Sequence, residues 1–225
     1  MIKKLPGGKK IAFFSPHPDD DVIASGALLH ELGKRENQIL IVCLTNSPRV
    51  ISGPMSKIEK IALRQKETRA ACRVIGTKPL FLNLEKPDLE NKRGKTKIKK
   101  FLEEEKPDII FVPPSEDVHP THQKVTKLVL ENIGQASSVK QVWFFDGWTP
   151  LPAPNYIFFF SEKEMAIKKE AVTKHVSQHQ RLNFFRAAKG LNIFRGEMGK
   201  ELMAGFGASS SLKSQYGEAY LVKNI

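Results

Sequence analysis

The sequence predicts an α/β fold: a Rossmann-like, mainly parallel sheet with helices on both faces, in a single domain. Two observations carry this. Short apolar runs alternate with longer segments of helical period from residue 10 to residue 146, the pattern of strands and crossover helices. Clusters of ionisable residues directly follow two of those runs, at the strand ends where open α/β sheets place their crevice.

The elements follow in order. Ile11-Ala12-Phe13-Phe14 reads as a buried strand (10–15) that Pro16 and Pro18 forbid from continuing, since proline lacks the amide donor and biases its neighbour toward extended or turn geometry. The run from Val22 to Leu29 opens an apolar helix over 21–35. Strand 38–44, helix 57–75, strand 79–84, a helix near 95–105, strand 108–112, helix 121–134 and strand 140–146 come next. The tail departs from this rhythm, with a strand from Asn155 to Phe160, an amphipathic helix from Glu162 to Gln178, mostly helix over 181–204 and a closing strand near 216–222. The expected organisation is one domain over 1–225, with a core of about 10–146 and added C-terminal strands and helices over about 147–225. The long loop Asn46–Lys57 should border the same mouth, and Gly205–Ser211 reads as a mobile loop or a substrate-facing lip.

A chain of 225 residues with 40% apolar content can bury a full core. No stretch approaches the roughly 18 apolar residues that a membrane-spanning helix needs. The apolar run after Lys3, Lys4, Lys9 and Lys10 is too short for a signal peptide, and Cys43 and Cys72 fall inside regular elements, as core residues of a cytoplasmic protein do. The net charge of +12 favours anionic partners. Six of the nine residues from Lys92 to Lys100 are basic. The plain reading is a solvated helix start; the functional one is attraction of an anionic substrate or membrane surface. No nucleic-acid module accompanies the charge, so no specific nucleic-acid partner is expected. A homo-oligomer is left open.

The chemistry lies in two clusters. His17-Pro18-Asp19-Asp20-Asp21 sits on a strand-to-helix turn. Three carboxylates there repel one another unless a cation or shared protons relieve them, which points to a divalent metal. Ser115-Glu116-Asp117-Val118-His119-Pro120-Thr121-His122 follows the strand 108–112. Imidazoles with a nearby carboxylate suit zinc, and three protein ligands with an open fourth position make a catalytic site. The plainer alternatives are a helix N-cap and first-turn cluster for the aspartates, which fits Asp21 best, and surface histidines for His119 and His122.

His17-Pro18-Asp19-Asp20 and His119-Pro120-Thr121-His122 resemble the two signature motifs of the PIG-L/LmbE-like family of zinc-dependent N-acetylglucosaminyl deacetylases. Arg64-Gln65-Lys66-Glu67, Lys174-His175-Val176-Ser177-Gln178 and Tyr216-Gly217-Glu218-Ala219-Tyr220 resemble three further family segments, in the family's order. The resemblance implies His17, Asp20 and His122 as ligands of Zn2+, or of another divalent metal such as Fe2+, and Asp19 as the general base. It implies that His119 stabilises the oxyanion or protonates the leaving nitrogen, and that Arg64 and, on a looser match, Asp88 bind the sugar. His175 has a packing reading beside this, Arg64 a salt-bridge reading, and Glu218 reads equally as a site-orienting residue or a buried structural partner.

Three departures stand out. Asp21 replaces the family's usual Glu, Thr121 replaces an Asp, and Asn46-Ser47-Pro48 replaces Thr-Asp-Gly. Asp117 is the carboxylate within reach to compensate for Thr121. The leading expectation is hydrolysis of acetyl from an N-acetylglucosamine-type sugar or conjugate, possessing an anionic group if the basic charge is used. The competing expectations are a metal-dependent hydrolase of another small amide, and a non-catalytic basic binding protein on the same fold.

Overall fold

The computed structural model describes residues 4–48, 51, 53–134, 137–207 and 214–225. Part of the loop predicted over Asn46–Lys57, and residues 208–211 of the segment Gly205–Ser211, lie outside the described residues. Seven strands form one sheet: β1 (Lys10–Ser15), β2 (Gln38–Thr45), β3 (Lys78–Leu84), β4 (Ile109–Val112), β5 (Gln141–Phe145), β6 (Tyr156–Phe160) and β7 (Tyr216–Asn224). Their order is β3-β2-β1-β4-β5-β7-β6. The first five run parallel, while β7 lies antiparallel between β5 and β6. The last two strands therefore belong to the same sheet as the core.

Helices α1 (Asp20–Gly33), α2 (Lys57–Ile75), α3 (Lys92–Glu105), α4 (Pro120–Ile133), α5 (Glu162–Thr173), α6 (Val176–His179) and α7 (Phe184–Ala204) cover the sheet. Alternate strand residues point to opposite faces, and both faces are apolar. Ile11, Phe13, Ile41 and Phe111 pack with Leu28 and Leu29 of α1, Ala71 and Cys72 of α2 and Val172 of α5. Ala12, Phe14, Val42 and Ile110 pack with Ile98 and Phe101 of α3 and Val125 and Val129 of α4. Strands buried on both faces are why the sequence shows continuous apolar runs rather than alternation.

Three elements differ from expectation. α1 is interrupted at Ser25 (φ −133°, ψ 20°), because the carboxylate of Glu218 in β7 accepts hydrogen bonds from the amides of Ala27 (3.1 Å) and Leu28 (2.8 Å). The helix expected over 162–178 ends at Thr173, and α6 starts anew at Val176. There, Ser177 donates its amide and hydroxyl to Glu67 of α2 at 2.8 and 2.7 Å, so a contact made across the molecule sets the break. A 3-10 turn, Lys86–Glu90, precedes α3. The basic run at the start of α3 is exposed and largely paired, Arg93 with Asp88, Lys95 with Glu131, Lys99 with Glu103 and Lys100 with Glu104.

Strand order reverses between β1 and β4: the chain leaves β1 toward β2 and β3, then returns to β1's other side. That reversal opens a crevice at the carboxyl ends of β1 and β4, directly where both ionisable clusters begin.

Candidate active site at the switch point

The turn after β1 is held from several sides. Ser15 Oγ donates to the His17 carbonyl at 2.7 Å. Thr45, at the end of β2, donates its hydroxyl to the Pro16 carbonyl at 2.8 Å, and Thr68 of α2 donates to the Pro18 carbonyl at 3.1 Å. The Pro16 carbonyl also accepts the Thr45 amide at 3.2 Å, so donors from β2 and α2 take up both proline carbonyls. Asp20 then turns back so that its Oδ2 accepts the His17 amide at 2.8 Å.

The same Oδ2 lies 3.1 Å from His17 Nδ1 and 3.3 Å from His122 Nε2, and those two nitrogens are 3.3 Å apart. A tetrahedral ion with bonds of about 2.0–2.1 Å spaces its ligand atoms about 3.3 Å apart. One carboxylate and two imidazoles thus form a triangle of the right size and donor type for a divalent metal. Nitrogens of His17, His119 and His122 also lie within 4.8 Å of one another, a looser set than the triangle containing Asp20.

The electrostatics agree with a cation-binding role. Burial alone raises the Asp20 carboxyl, but the imidazoles of His122 and His17 hold it well below the usual carboxylate range. Burial pulls His122 down, yet Asp20 and Asp117 on either side push it up to about 10. Asp117 Oδ2 sits 3.4 Å from His122 Nδ1, where a carboxylate would orient the ring of a metal-binding histidine. Asp117 itself is buried and accepts the amides of His119 (2.8 Å) and Trp148 (2.9 Å). Offered by the sequence as the carboxylate to compensate for Thr121, Asp117 lies against the His122 ring as well as the His119 amide. Gly147 allows this approach, since a Cβ there would lie 2.2 Å from Asp117 Oδ2.

Around the triangle stand the other expected residues. Asp19 is 5% exposed, and its Oδ1 pairs with Arg64 Nη2 at 3.4 Å. Arg64 is buried at 1% exposure, with Nε and Nη1 unpartnered. It lines the cavity, and the Asp19 carboxylate engages its Nη2 alone. His119 caps α4: its Nδ1 accepts the Thr121 amide at 3.2 Å, so a neutral ring carries its proton on Nε2. Burial, then His17 and His122, lower His119 to about 4. Asp21 is fully buried near Ser15, and burial followed by the Asp19 charge raises it to about 7.

Asp88 is not brought to this site. It caps the 3-10 turn, accepting the Glu85 amide at 2.9 Å, and pairs with Arg93 at 3.1 Å; it does not line the cavity. Its placement in the strand-end loop made it a candidate, but its carboxylate is spent on local backbone and Arg93. His175 packs against Asp19 with both ring nitrogens buried and unpartnered, and burial lowers it to about 4.

A cavity of about 300 Å³ opens over these groups, lined also by Ser47, Gln178 and Arg181. Another part of its wall comes from Phe145 at the end of β5, from Asp146, Gly147, Trp148 and Pro150 after it, and from α7. Sequence reading missed that wall. The one available signal was Gly147-Trp148-Thr149-Pro150 after a strand end, the position where ligands are met in open sheets. Among the described residues no helix is long and apolar enough to cross a membrane.

Solved structures share this fold. The N,N'-diacetylchitobiose deacetylase from Pyrococcus horikoshii is 23% identical, with a TM-score of 0.78 over 96% of this chain and 84% of that one. GalB, the 4-carboxy-2-hydroxymuconate hydratase from Pseudomonas putida KT2440, is 16% identical, with a TM-score of 0.76 over 95% of each chain. The zinc-inhibited form of teicoplanin deacetylase Orf2 is 16% identical, with a TM-score of 0.71 over 96% of this chain and 98% of that one. At such identities the likeness is one of fold, and a hydratase among the three shows that this fold alone does not fix a reaction. The sequence model of PIG-L, described as GlcNAc-PI de-N-acetylase, matches residues 12–133, more than half of the 225-residue chain and both ionisable clusters. This chain belongs to the PIG-L family.

Proposed function

We propose that this protein is a divalent-metal-dependent hydrolase that removes acetyl from an N-acetylglucosamine-type sugar or conjugate. The observation that carries this reading is the triangle of His17 Nδ1, Asp20 Oδ2 and His122 Nε2 at 3.1–3.3 Å, with the Asp19 carboxylate on the adjoining residue. Those three residues hold the ion, which we take to be zinc, with Fe2+ the alternative that the same donors accept. When bound, it supplies Lewis acidity and lowers the pKa of water.

The chain's own groups supply the rest. Asp19 takes a proton from the attacking water, and Arg64, paired to it at 3.4 Å, orients the carboxylate. Because His119 Nδ1 already accepts the Thr121 amide, its Nε2–H is a donor. It stabilises negative charge on the former carbonyl oxygen, and Asp19 returns its proton to the nitrogen as the C–N bond breaks. The products are acetate and a free amine. Arg181 and Ser47 on the cavity wall offer partners to sugar hydroxyls or to an anionic substituent. A cytoplasmic setting fits the two buried free thiols, Cys43 and Cys72.

Amine release from free N-acetylglucosamine, diacetylchitobiose, a phosphorylated sugar and a carboxylated conjugate tests the reading. Turnover of at least one by the zinc-loaded protein is expected, with the anionic compounds favoured. One bound ion per chain with no amine released from any would move the substrate outside amino sugars.

A further inference from the structure

Trp148 stands on a loop whose neighbouring residues are tied down. Asp146 before it is gripped by Arg195 at 2.8 and 2.9 Å and accepts the Leu151 amide at 2.6 Å. Thr149 after it accepts the Val118 amide on its hydroxyl at 2.9 Å. The Trp148 amide itself donates to Asp117 Oδ2 at 2.9 Å, the oxygen that also lies 3.4 Å from His122 Nδ1. One carboxylate therefore registers this loop against a proposed metal ligand. The indole lines the cavity and is 45% exposed. Two rings brace it: Phe184 stands across it at 87° with centroids 6.2 Å apart, and His119 lies 5.8 Å away at 40°. The His119 ring is in turn 4.7 and 4.8 Å from those of His17 and His122. A large, half-exposed aromatic is thus held one ring away from the ligand triangle.

An exposed tryptophan elsewhere on a surface needs no account; its position decides the matter here. A pyranose chair carries its hydroxyls around its rim and C–H bonds on its faces, so it is polar edge-on and apolar face-on. An indole offers apolar surface of matching size, and a ring and loop already ordered lose little freedom on binding. Arg181, whose guanidinium carbon lies 5.7 Å from the Phe184 ring, lines the same cavity and presents donors to hydroxyls at the rim. In an N-acetyl amino sugar the pyranose begins one bond beyond the amide nitrogen, so an acyl carbon at the ligand triangle brings the sugar within reach of the next ring out. Resting on the hydrolase reading above, we infer that Trp148 is a sugar-binding residue: its indole stacks on the pyranose and makes the enzyme select acetamides carried on a sugar ring over acetamides without one.

The test measures amine release by zinc-loaded parent, Trp148→Ala and Trp148→Phe from the four sugars named above and from ring-free N-acetylethanolamine, with zinc content beside it. Binding is read separately from the tryptophan emission of Asp19→Asn titrated with the same compounds. The chain has two tryptophans, and Trp143 is 0% exposed, so a sugar-dependent change of emission reports Trp148 and vanishes when Trp148→Phe is added. Trp148→Ala is expected to lower kcat/KM on the sugars about tenfold, mostly through KM, with zinc content and any turnover of N-acetylethanolamine unchanged, while Trp148→Phe recovers most of the loss. A loss shared equally by N-acetylethanolamine, or a loss of zinc, makes the ring a support for the site and overturns the inference. Sugar turnover undiminished in Trp148→Ala also overturns it and leaves the deacetylase reading standing. A saturable, sugar-dependent change of Trp148 emission with no amine released from any compound upholds the platform while the hydrolase reading fails. Neither amine nor a change of emission sinks both.

Discussion

Replacing Lys168 by Met removes half of an ion pair that lies entirely inside the protein. Lys168 Nζ is 2.6 Å from Glu218 Oε1, and both side chains are 0% exposed. Glu218 also accepts the amides of Ala27 and Leu28, where α1 is interrupted. Without the ammonium, a buried carboxylate keeps two amide donors and the Tyr220 hydroxyl at 3.2 Å but no counter-charge. Stripping one partner from such a pair costs about 3–5 kcal/mol. For a chain of this size about 1 kcal/mol moves Tm by about 2–4 °C, so a fall of about 6–20 °C is expected. Lys168→Met, Glu218→Gln and the double variant that combines them are to be compared with the parent by urea unfolding. The double variant carries no buried charge, and its glutamine still accepts one backbone amide, so it is predicted to be more stable than Lys168→Met alone. A single variant within about 1 kcal/mol of the parent would refute the argument. So would a double variant that loses the sum of both singles, because strong coupling is what a buried pair implies.

Three further outcomes follow from the site. Gly147→Ala puts a methyl where Asp117 Oδ2 now approaches, so Asp117 is displaced from His122; metal affinity, read by chelator competition, is predicted to fall about 10–100-fold, and unchanged affinity would contradict the supporting role of Asp117. His175 is buried and lowered to about 4; its folded pKa lies below the unfolded value, so the unfolded state takes up the proton first and stability is lost as pH falls from about 6.5 toward 4, by about 1.4 kcal/mol per pH unit. His175→Phe is predicted to flatten that part of the stability–pH curve, and an unaltered slope counts against it. Arg64→Met strips Asp19 of its ion-pair partner and is predicted to lower kcat by about 10²-fold or more with the bound metal retained; a change confined to KM would instead favour a sugar-binding role for Arg64.

Much of this architecture was legible because local pattern and tertiary demand agree. The runs at Ile11–Phe14, Ile39–Leu44 and Ile109–Val112 are apolar at every position because both faces of the sheet are covered. The two ionisable clusters could be placed together because both follow strand ends at the point where the strand order reverses. What escaped depends on partners far away in sequence. The break at Ser25 is set by Glu218, 190 or more residues on, and the end of α5 by Glu67 in α2. Asp88 has near partners, the Glu85 amide and Arg93, but it looked available because no sequence pattern states which side chain a 3-10 turn will occupy. The lining contributed by α7 was invisible for the same reason: an amphipathic helix does not state which of its residues will overlook a cavity.

The central claim is that His17, Asp20 and His122 hold a catalytic metal ion while the neighbouring Asp19 moves the proton. Metal content per chain, measured beside amine release for the parent, Asp19→Asn and Asp20→Ala, tests it most directly. The account predicts one divalent ion in the parent and in Asp19→Asn, none or nearly none in Asp20→Ala, and loss of turnover in both variants. Turnover that survives in Asp19→Asn, or an ion retained at full occupancy in Asp20→Ala, would contradict it.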